Sequence, residues 1–447
     1  MRTFTCLLIF SFLTACSSSD GGGGQDGPTS CSNREQKIFV RDAMFDWYLW
    51  NDLLPTNVDV NHYATPQDLL AFLTTFSPDD TNGQPIDAVR GFSYIGSAEA
   101  DAQFFGEGRF EGFGFSRRHL AVDDVRLTRV FSASPADLAG LARGQRIIEL
   151  NGRTVAEIEA AEGLDAVFDT TPIDFTMREL NGNEFTVSIS HDIVTIDPIP
   201  QWRLIPTAGG PPIGYLELAT FISTADPVFD TVFAAFRANG VTDVIIDLRY
   251  NGGGLVSTAE LLGDFLGGDV AQNLTFSKTV FNADRAAQYN DEEFFELLAN
   301  SMSLSRLVVI ATRRTASASE LVANSTAAHV EVAIVGDRTY GKPVGQVGIE
   351  FCENILRPIA FQTVNADDFG DYFDGLPVNP GCAAADDLNV AVGADTDPNM
   401  VAARSFLETG GCPVMSVPGT QSKPIFQNVY PRPDRRGPPW REFAGAY

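Results

Sequence analysis

The sequence predicts a multidomain α/β protein, and three observations carry that expectation. Continuous apolar runs at 241–249, 306–312 and 332–335 have the unbroken hydrophobicity of strands buried on both faces. Helix-like stretches at 257–266 and 319–329 follow the first and second runs, so strand and helix alternate as they do around a parallel sheet. The chain has 447 residues, 44% of them hydrophobic and 11% aromatic, which suits two or three packed domains.

Each predicted strand ends in residues with chemical potential. The run at 306–312 leads into Thr315-Ala316-Ser317-Ala318-Ser319-Glu320, and the run at 332–335 passes through Gly336 to Tyr340-Gly341-Lys342. A serine attacks a carbonyl at neutral pH only if a neighbour takes its proton. A lysine can do so when burial lowers its pKa from about 10.4, because desolvation disfavours the ammonium form. The strand at 241–249 ends in Tyr250-Asn251-Gly252-Gly253-Gly254. Consecutive glycines let the backbone come close to a substrate, so the amides of Gly253 and Ala318 are candidate donors to an oxyanion. Two plainer readings compete. Ser317 and Glu320 have the spacing of a helix capping box. The segment from Gly336 to Lys342 has the spacing of a phosphate loop, but Pro343 stands where such a loop needs a Ser or Thr hydroxyl, which argues against a nucleotide site.

Taken in order, DLRYNGGG, TASASE and TYGKPVGQ resemble the carboxyl-terminal processing peptidases, also called tail-specific proteases. The resemblance implies a crotonase/ClpP-like peptidase core, with Ser317 as nucleophile, Lys342 as general base and Gln346 orienting the lysine. It also puts Gly253 and Ala318 in the oxyanion region and implies no metal or organic cofactor. The expected reaction is hydrolysis of peptide bonds in polypeptides with free C-termini, through an acyl-enzyme. Two departures stand out: Pro343 replaces a glycine usual in the family, and Val344-Gly345 alters the step to Gln346. Ahead of the core, Gly112, Phe113, Gly114 and Phe115 look like the carboxylate-binding loop of a PDZ domain, where a peptide also adds a strand to a sheet edge. The segments 134–144 and 146–152 are similar to the helix and strand that follow in such domains, with Gln145 where aspartate is common. The competing expectation is an inactive family member that binds peptides or apolar ligands. Retention of both Ser317 and Lys342 favours the enzyme.

The amino terminus reads as an export signal. A short apolar run at 7–13 precedes Thr14-Ala15-Cys16, which fits a signal peptide better than a membrane span. Leu13-Thr14-Ala15-Cys16 resembles the bacterial lipobox, which implies lipidation at Cys16. Ser17 in place of aspartate then favours an outer-membrane anchor facing the periplasm. Residues 17–33 form a Ser/Gly-rich tether, of which some 14 residues reach roughly 20 Å.

The expected layout continues with a helical region at 34–104, the PDZ-like domain at 105–196, the core at 197–418 and a Pro-rich basic tail at 419–447. In the helical region Phe39, Met44, Trp47, Tyr48 and Leu49 make an apolar face. Trp47 and Trp50 fit core packing better than a ligand cage, and 90–95 leads toward the PDZ-like part.

The remaining features mostly exclude functions. A net charge of −27 argues against nucleic acid, which calls for clustered Lys and Arg. Only His62, His119, His191 and His329 are present and no GxSxG elbow occurs, so a Ser/His/Asp hydrolase has little support. Asp367, Asp368, Asp371 and Asp374 lack calcium-loop spacing. Once Cys6 and Cys16 are set aside, Cys31, Cys352, Cys382 and Cys412 suggest two intramolecular disulfides with three possible pairings.

Overall fold

The computed structural model describes residues 27–413 and Pro438. The expected signal peptide, Cys16, most of the tether and nearly all of the basic tail lie outside the described residues.

The predicted buried strands form one sheet. Strands β6 (Gln201–Ile205), β7 (Ile213–Glu217), β8 (Asp243–Asp247), β9 (Arg306–Ala311) and β10 (Glu331–Gly336) lie side by side in chain order. The first pair is antiparallel and the remaining pairs are parallel. Helices α5 (Asp226–Ala238), α6 (Val256–Gly267) and α7 (Ala318–Ala327) make the crossovers. Strand residues alternate between two cores, which is why the runs are apolar without interruption. Val244 and Ile246 pack with Phe229, Phe233, Leu262 and Leu321 of the crossover helices. Ile245, Val308 and Val335 face Met400, Ala403 and Phe406 of α8 (Pro398–Thr409) on the other side. A second, antiparallel sheet joins Asp291–Phe294, Thr275–Phe281, Ile359–Val364 and Val344–Gln346 in that order.

Ahead of the core lies a β-rich domain whose ends are tied together, because Arg109–Gly112 pairs with Asp192–Thr195. Between them, β1 (Phe115–Ala121), β2 (Asp124–Val130), β3 (Arg146–Leu150), β4 (Ile173–Arg178) and β5 (Glu184–Ile189) form an antiparallel sheet with β1 at its edge. Helices α3 (Val155–Ala161) and α4 (Leu164–Phe168) close its core around Phe113, Phe115, Ile158 and Phe168.

The amino-terminal region contributes α1 (Asn33–Trp47) and α2 (Pro66–Thr74). Thr65 starts α2 with a full capping box against Asp68. Trp47 lies under the Arg285 guanidinium at 4.2 Å and against Tyr289, so it packs rather than forming a cage. Here the structure corrects one expectation: 90–95 is not a lead into the β-rich domain. Tyr94–Ser97 pairs with Asn354–Arg357 of the core. Phe39, Val40, Tyr48 and Phe92 share a single buried cluster with Ala316, Tyr340 and Val344. The amino-terminal region therefore packs directly against the loops that carry Ser317 and Lys342.

The cysteines pair as Cys31–Cys352 and Cys382–Cys412, so the structure selects one of the three possible arrangements. Such bonds persist in oxidising compartments. Among the described residues no helix is long and apolar enough to cross a membrane.

Candidate active site

Three strand ends of the core build the site. β9 runs into Ser317, which stands at the start of α7 with φ 56° and ψ −119°. A positive φ is uncommon for a residue with a Cβ and is held only where the surroundings enforce it. The enforcing contacts are visible: Ala316 N donates to Asn251 O at 3.0 Å, Ser319 Oγ donates to the same carbonyl at 3.1 Å, and Thr315 Oγ1 donates to Leu248 O at 2.7 Å. The loop after β8 thus grips the serine turn from below.

Gly253 lies closest to that turn. Its φ is +101°, and a Cβ there would come within 2.8 Å of both Ala316 O and Ser317 Cβ and 2.9 Å of Ala318 N. Only glycine fits such an approach. The expected oxyanion role of the Gly253 amide needs correcting, however, because that N–H already donates to Asn251 Oδ1 at 2.8 Å. The Ala318 amide, at the first position of α7, has no hydrogen-bond partner among the described residues. It points where a helix N-terminus favours negative charge.

Glu320 is the residue that sequence reasoning undervalued. It reads as a capping-box glutamate and does accept from Ser317 N at 2.9 Å. Yet its Oε2 also accepts from Lys342 N at 2.8 Å. Its Oε1 accepts from Gly341 N at 2.7 Å and Thr339 Oγ1 at 2.5 Å. One buried oxygen therefore holds the backbone nitrogens of both Ser317 and Lys342, so the two turns cannot stand farther apart than those two bonds allow. Burial pushes the Glu320 carboxyl up from its ordinary range while the four donors pull it down, for a net rise. All four partners are donors, so this geometry serves the ionised form.

Lys342 follows Gly341, whose φ is +92° and whose missing Cβ leaves room for Phe373 O and Gly375 N. The Lys342 side chain is half-buried, and its Nζ donates to Gln346 Oε1 at 2.9 Å. The departures in the Pro343-Val344-Gly345 step are accommodated. Pro343 O accepts from Thr363 N at 3.0 Å, and the pairing of Val344–Gln346 shifts register between Gly345 and Gln346. A bulge of this kind re-aims the side chain that follows it, and here that side chain faces the lysine.

Behind the glycine loop lies a buried charge cluster. Arg249 donates to Asp247 Oδ2 at 2.5 Å and to Asp397 Oδ2 at 2.6 Å. Next to it Asp386 accepts from Arg118 at 3.0 Å and Arg143 at 2.7 Å, both from the β-rich domain, and from the Tyr250 hydroxyl. Tyr250 has φ 64° and immediately precedes the Asn251 loop. Nothing in the sequence signalled this junction, because its members are scattered from position 118 to position 397.

The segment Gly112–Phe115 turns from the strand Arg109–Gly112 into β1. Gly114 O accepts from Phe131 N at 2.9 Å, and Phe113 O accepts from Ala136 N at 2.9 Å. The rings of Phe113 and Phe115 are fully buried, and the loop packs closely on Ser134, whose Oγ donates to Gly114 O at 3.2 Å. The amides of Phe113 and Gly114 have no partner among the described residues. His329 Nε2 donates to Thr275 O at 2.8 Å, which is a structural contact. Asp367, Asp368, Asp371 and Asp374 are exposed.

Fold and site together define the class, a multidomain α/β protein with the S41 protease fold. The putative S41 protease of Bacteroides fragilis superimposes with a TM-score of 0.64 at 22% identity, covering 83% of this chain and 97% of that one. The sequence profile of peptidase family S41 matches residues 212–365, and that of the peptidase S41 N-terminal domain matches residues 35–94. The chain belongs to peptidase family S41, with the carboxyl-terminal processing peptidases. Carboxyl-terminal-processing peptidase 3 of Arabidopsis thaliana chloroplasts is 27% identical over 256 residues, 53% of this chain and 46% of that protein. A carboxy-terminal processing protease of Bacillus subtilis is 22% identical over 250 residues, 54% of this chain and 49% of its own length. The chain spans about half the length of the curated relatives it matches.

Proposed function

We propose that this protein is a serine endopeptidase that cuts polypeptides in their C-terminal regions, using Ser317 as nucleophile and Lys342 as general base. The observation that carries this reading is the shared grip of Glu320 on the backbone nitrogens of Ser317 and Lys342, with Gln346 Oε1 2.9 Å from the lysine amine. The neutral amine takes the Ser317 proton as Oγ adds to the scissile carbonyl. The resulting ammonium gives that proton to the departing amine, and water then hydrolyses the acyl-serine by the same relay. The Ala318 amide is the ready oxyanion donor. Gly253 joins it only if the Asn251 side chain turns away.

The β-rich domain is the substrate-selecting part in this reading, as a PDZ-like module on a crotonase/ClpP-like core. Support comes from the Phe113 and Gly114 amides, which have no partner among the described residues, and from β1 as the end strand of its sheet, where an extended tail can add as a strand. Export as a lipoprotein anchored through Cys16, with exported polypeptides as substrates, follows from the lipobox-like leader and agrees with two disulfides. No cofactor enters the mechanism.

The test is cleavage of unfolded, carboxyl-terminally tagged protein by wild type, Ser317→Ala and Lys342→Ala. Both variants are expected to lose at least about a thousandfold in turnover while still folding. Undiminished turnover by either one overturns the dyad.

A further inference from the structure

The amino-terminal region reaches the lysine at two points. The Phe92 carbonyl accepts from Gln346 Nε2, so it fixes the amide whose other end meets Lys342. The Phe92 ring lies under the lysine amine, with Nζ 5.6 Å from its centroid. Phe92 is itself pinned through its neighbour. Ser93 N donates to Asp87 Oδ1 at 2.8 Å and Ser93 Oγ donates to Asp87 Oδ2 at 2.6 Å. Tyr48 OH donates to Asp87 Oδ2 at 2.9 Å, and Ile359 N donates to Ser93 Oγ at 3.0 Å. Asp87 is wholly buried, and the donors from Tyr48 and Ser93 compensate that burial. An uncompensated buried carboxylate is costly.

We propose that Asp87 and Ser93 are positioning residues of the catalytic base, acting through Phe92, which touches both Lys342 and its partner Gln346. The inference rests on the Ser/Lys reading above and deepens it. It makes the amino-terminal region a working part of the base rather than a structural prefix. A ring face favours the charged amine, whereas the apolar packing around Phe92 favours the neutral one, and the clip decides how the amine sits between them. The charged groups facing this arrangement are Asp87, Glu320, which binds the Lys342 backbone, and Arg90, which stacks on Phe92 and Tyr340 at 6.0 and 5.4 Å.

The experiment measures the rate at which a fluorophosphonate probe labels Ser317 as a function of pH, alongside kcat and KM on unfolded casein and thermal unfolding. Phe92→Leu keeps the carbonyl and the clip but removes the ring. It is expected to move the midpoint of the labelling profile down by about half a pH unit. Ser93→Ala and Asp87→Asn loosen the clip and are expected to slow labelling by about tenfold or more, through kcat rather than KM, with Ser93→Thr restoring most of it. Folded variants whose pH midpoint and rate match wild type overturn the proposal. If Asp87→Asn does not fold, Ser93→Ala set against Ser93→Thr decides. The two readings fail separately. Wild-type labelling in Lys342→Ala removes the dyad itself, whereas lost labelling in Lys342→Ala beside wild-type labelling in folded Ser93→Ala and Asp87→Asn removes only the role of the clip.

Discussion

Glu320 shows how one side chain can tie two separate turns together. Its carboxylate has only donors around it, so Glu320→Gln replaces one acceptor oxygen by an NH2 group that faces N–H or O–H donors. Hydrogen bonds to a charged group are worth about 1.5–3 kcal/mol and an unsatisfied buried donor costs a further share. The expected outcome is a fall in unfolding free energy of about 2–4 kcal/mol together with loss of Ser317 labelling, read by urea unfolding and probe kinetics. Ser317 and Lys342 were legible because each follows a strand recognisable by its apolar run, and Gln346 because the TYGKPVGQ motif resembles that of the family. The role of Glu320 was half legible. Its three-residue spacing from Ser317 announces a cap, but its second set of partners arrives from 19 to 22 positions further on and leaves no local pattern.

Among elements, the junction between the β-rich domain and the core is the most charged contact. Arg118 lies on β1, Arg143 precedes β3, and both converge with Arg249 and Tyr250 of the core on Asp386. Burial alone raises the Asp386 carboxyl, but Arg143, Arg118 and Arg249 outweigh it and hold it below the ordinary carboxylate range. A depressed folded-state pKa stabilises the fold above the unfolded value of about 3.9, and that contribution disappears as pH falls through the folded value. Asp386→Ala removes the carboxylate that Arg118 and Arg143 share, while Arg249 keeps Asp247 and Asp397, and is expected to cost about 3–5 kcal/mol at pH 7. The gap between wild type and variant should begin to narrow as pH falls below about 3.9 toward pH 3. A gap that stays constant from pH 7 to pH 3 contradicts this assignment. Because Tyr250 leads directly into the Asn251-Gly253 loop, the same variant is also expected to reduce Ser317 labelling.

At the scale of the whole molecule, Cys31–Cys352 closes a loop with a sequence separation of 321. It fastens the start of α1 to the hairpin that follows Gln346, while Cys382–Cys412 fastens the end of α8 to the segment beside β10. Removing a native disulfide typically costs about 2–5 kcal/mol. Cys31→Ser is expected to lower stability within that range, measured by urea unfolding under oxidising conditions, where an unchanged midpoint contradicts a structural role. The amino-terminal region, the β-rich domain and the core thus meet around one site, each through a different kind of bond: apolar packing with a disulfide, buried charge, and shared strand ends.

The sequence by itself determined the buried parallel strands, the helices between them, the positions of the serine, lysine and glutamine, and the glycine loop beside the serine. These are local patterns, in which hydrophobic period, turn chemistry and short motifs act over a few residues. Tertiary structure alone decided which cysteines pair, that the Gly253 amide is held by Asn251, that Asp386 gathers three arginines, and that Phe92 lies under the lysine. Those contacts join residues tens to hundreds of positions apart, except for the two-residue turn at Asn251. Their partners are chosen by packing, which no single segment of the chain encodes.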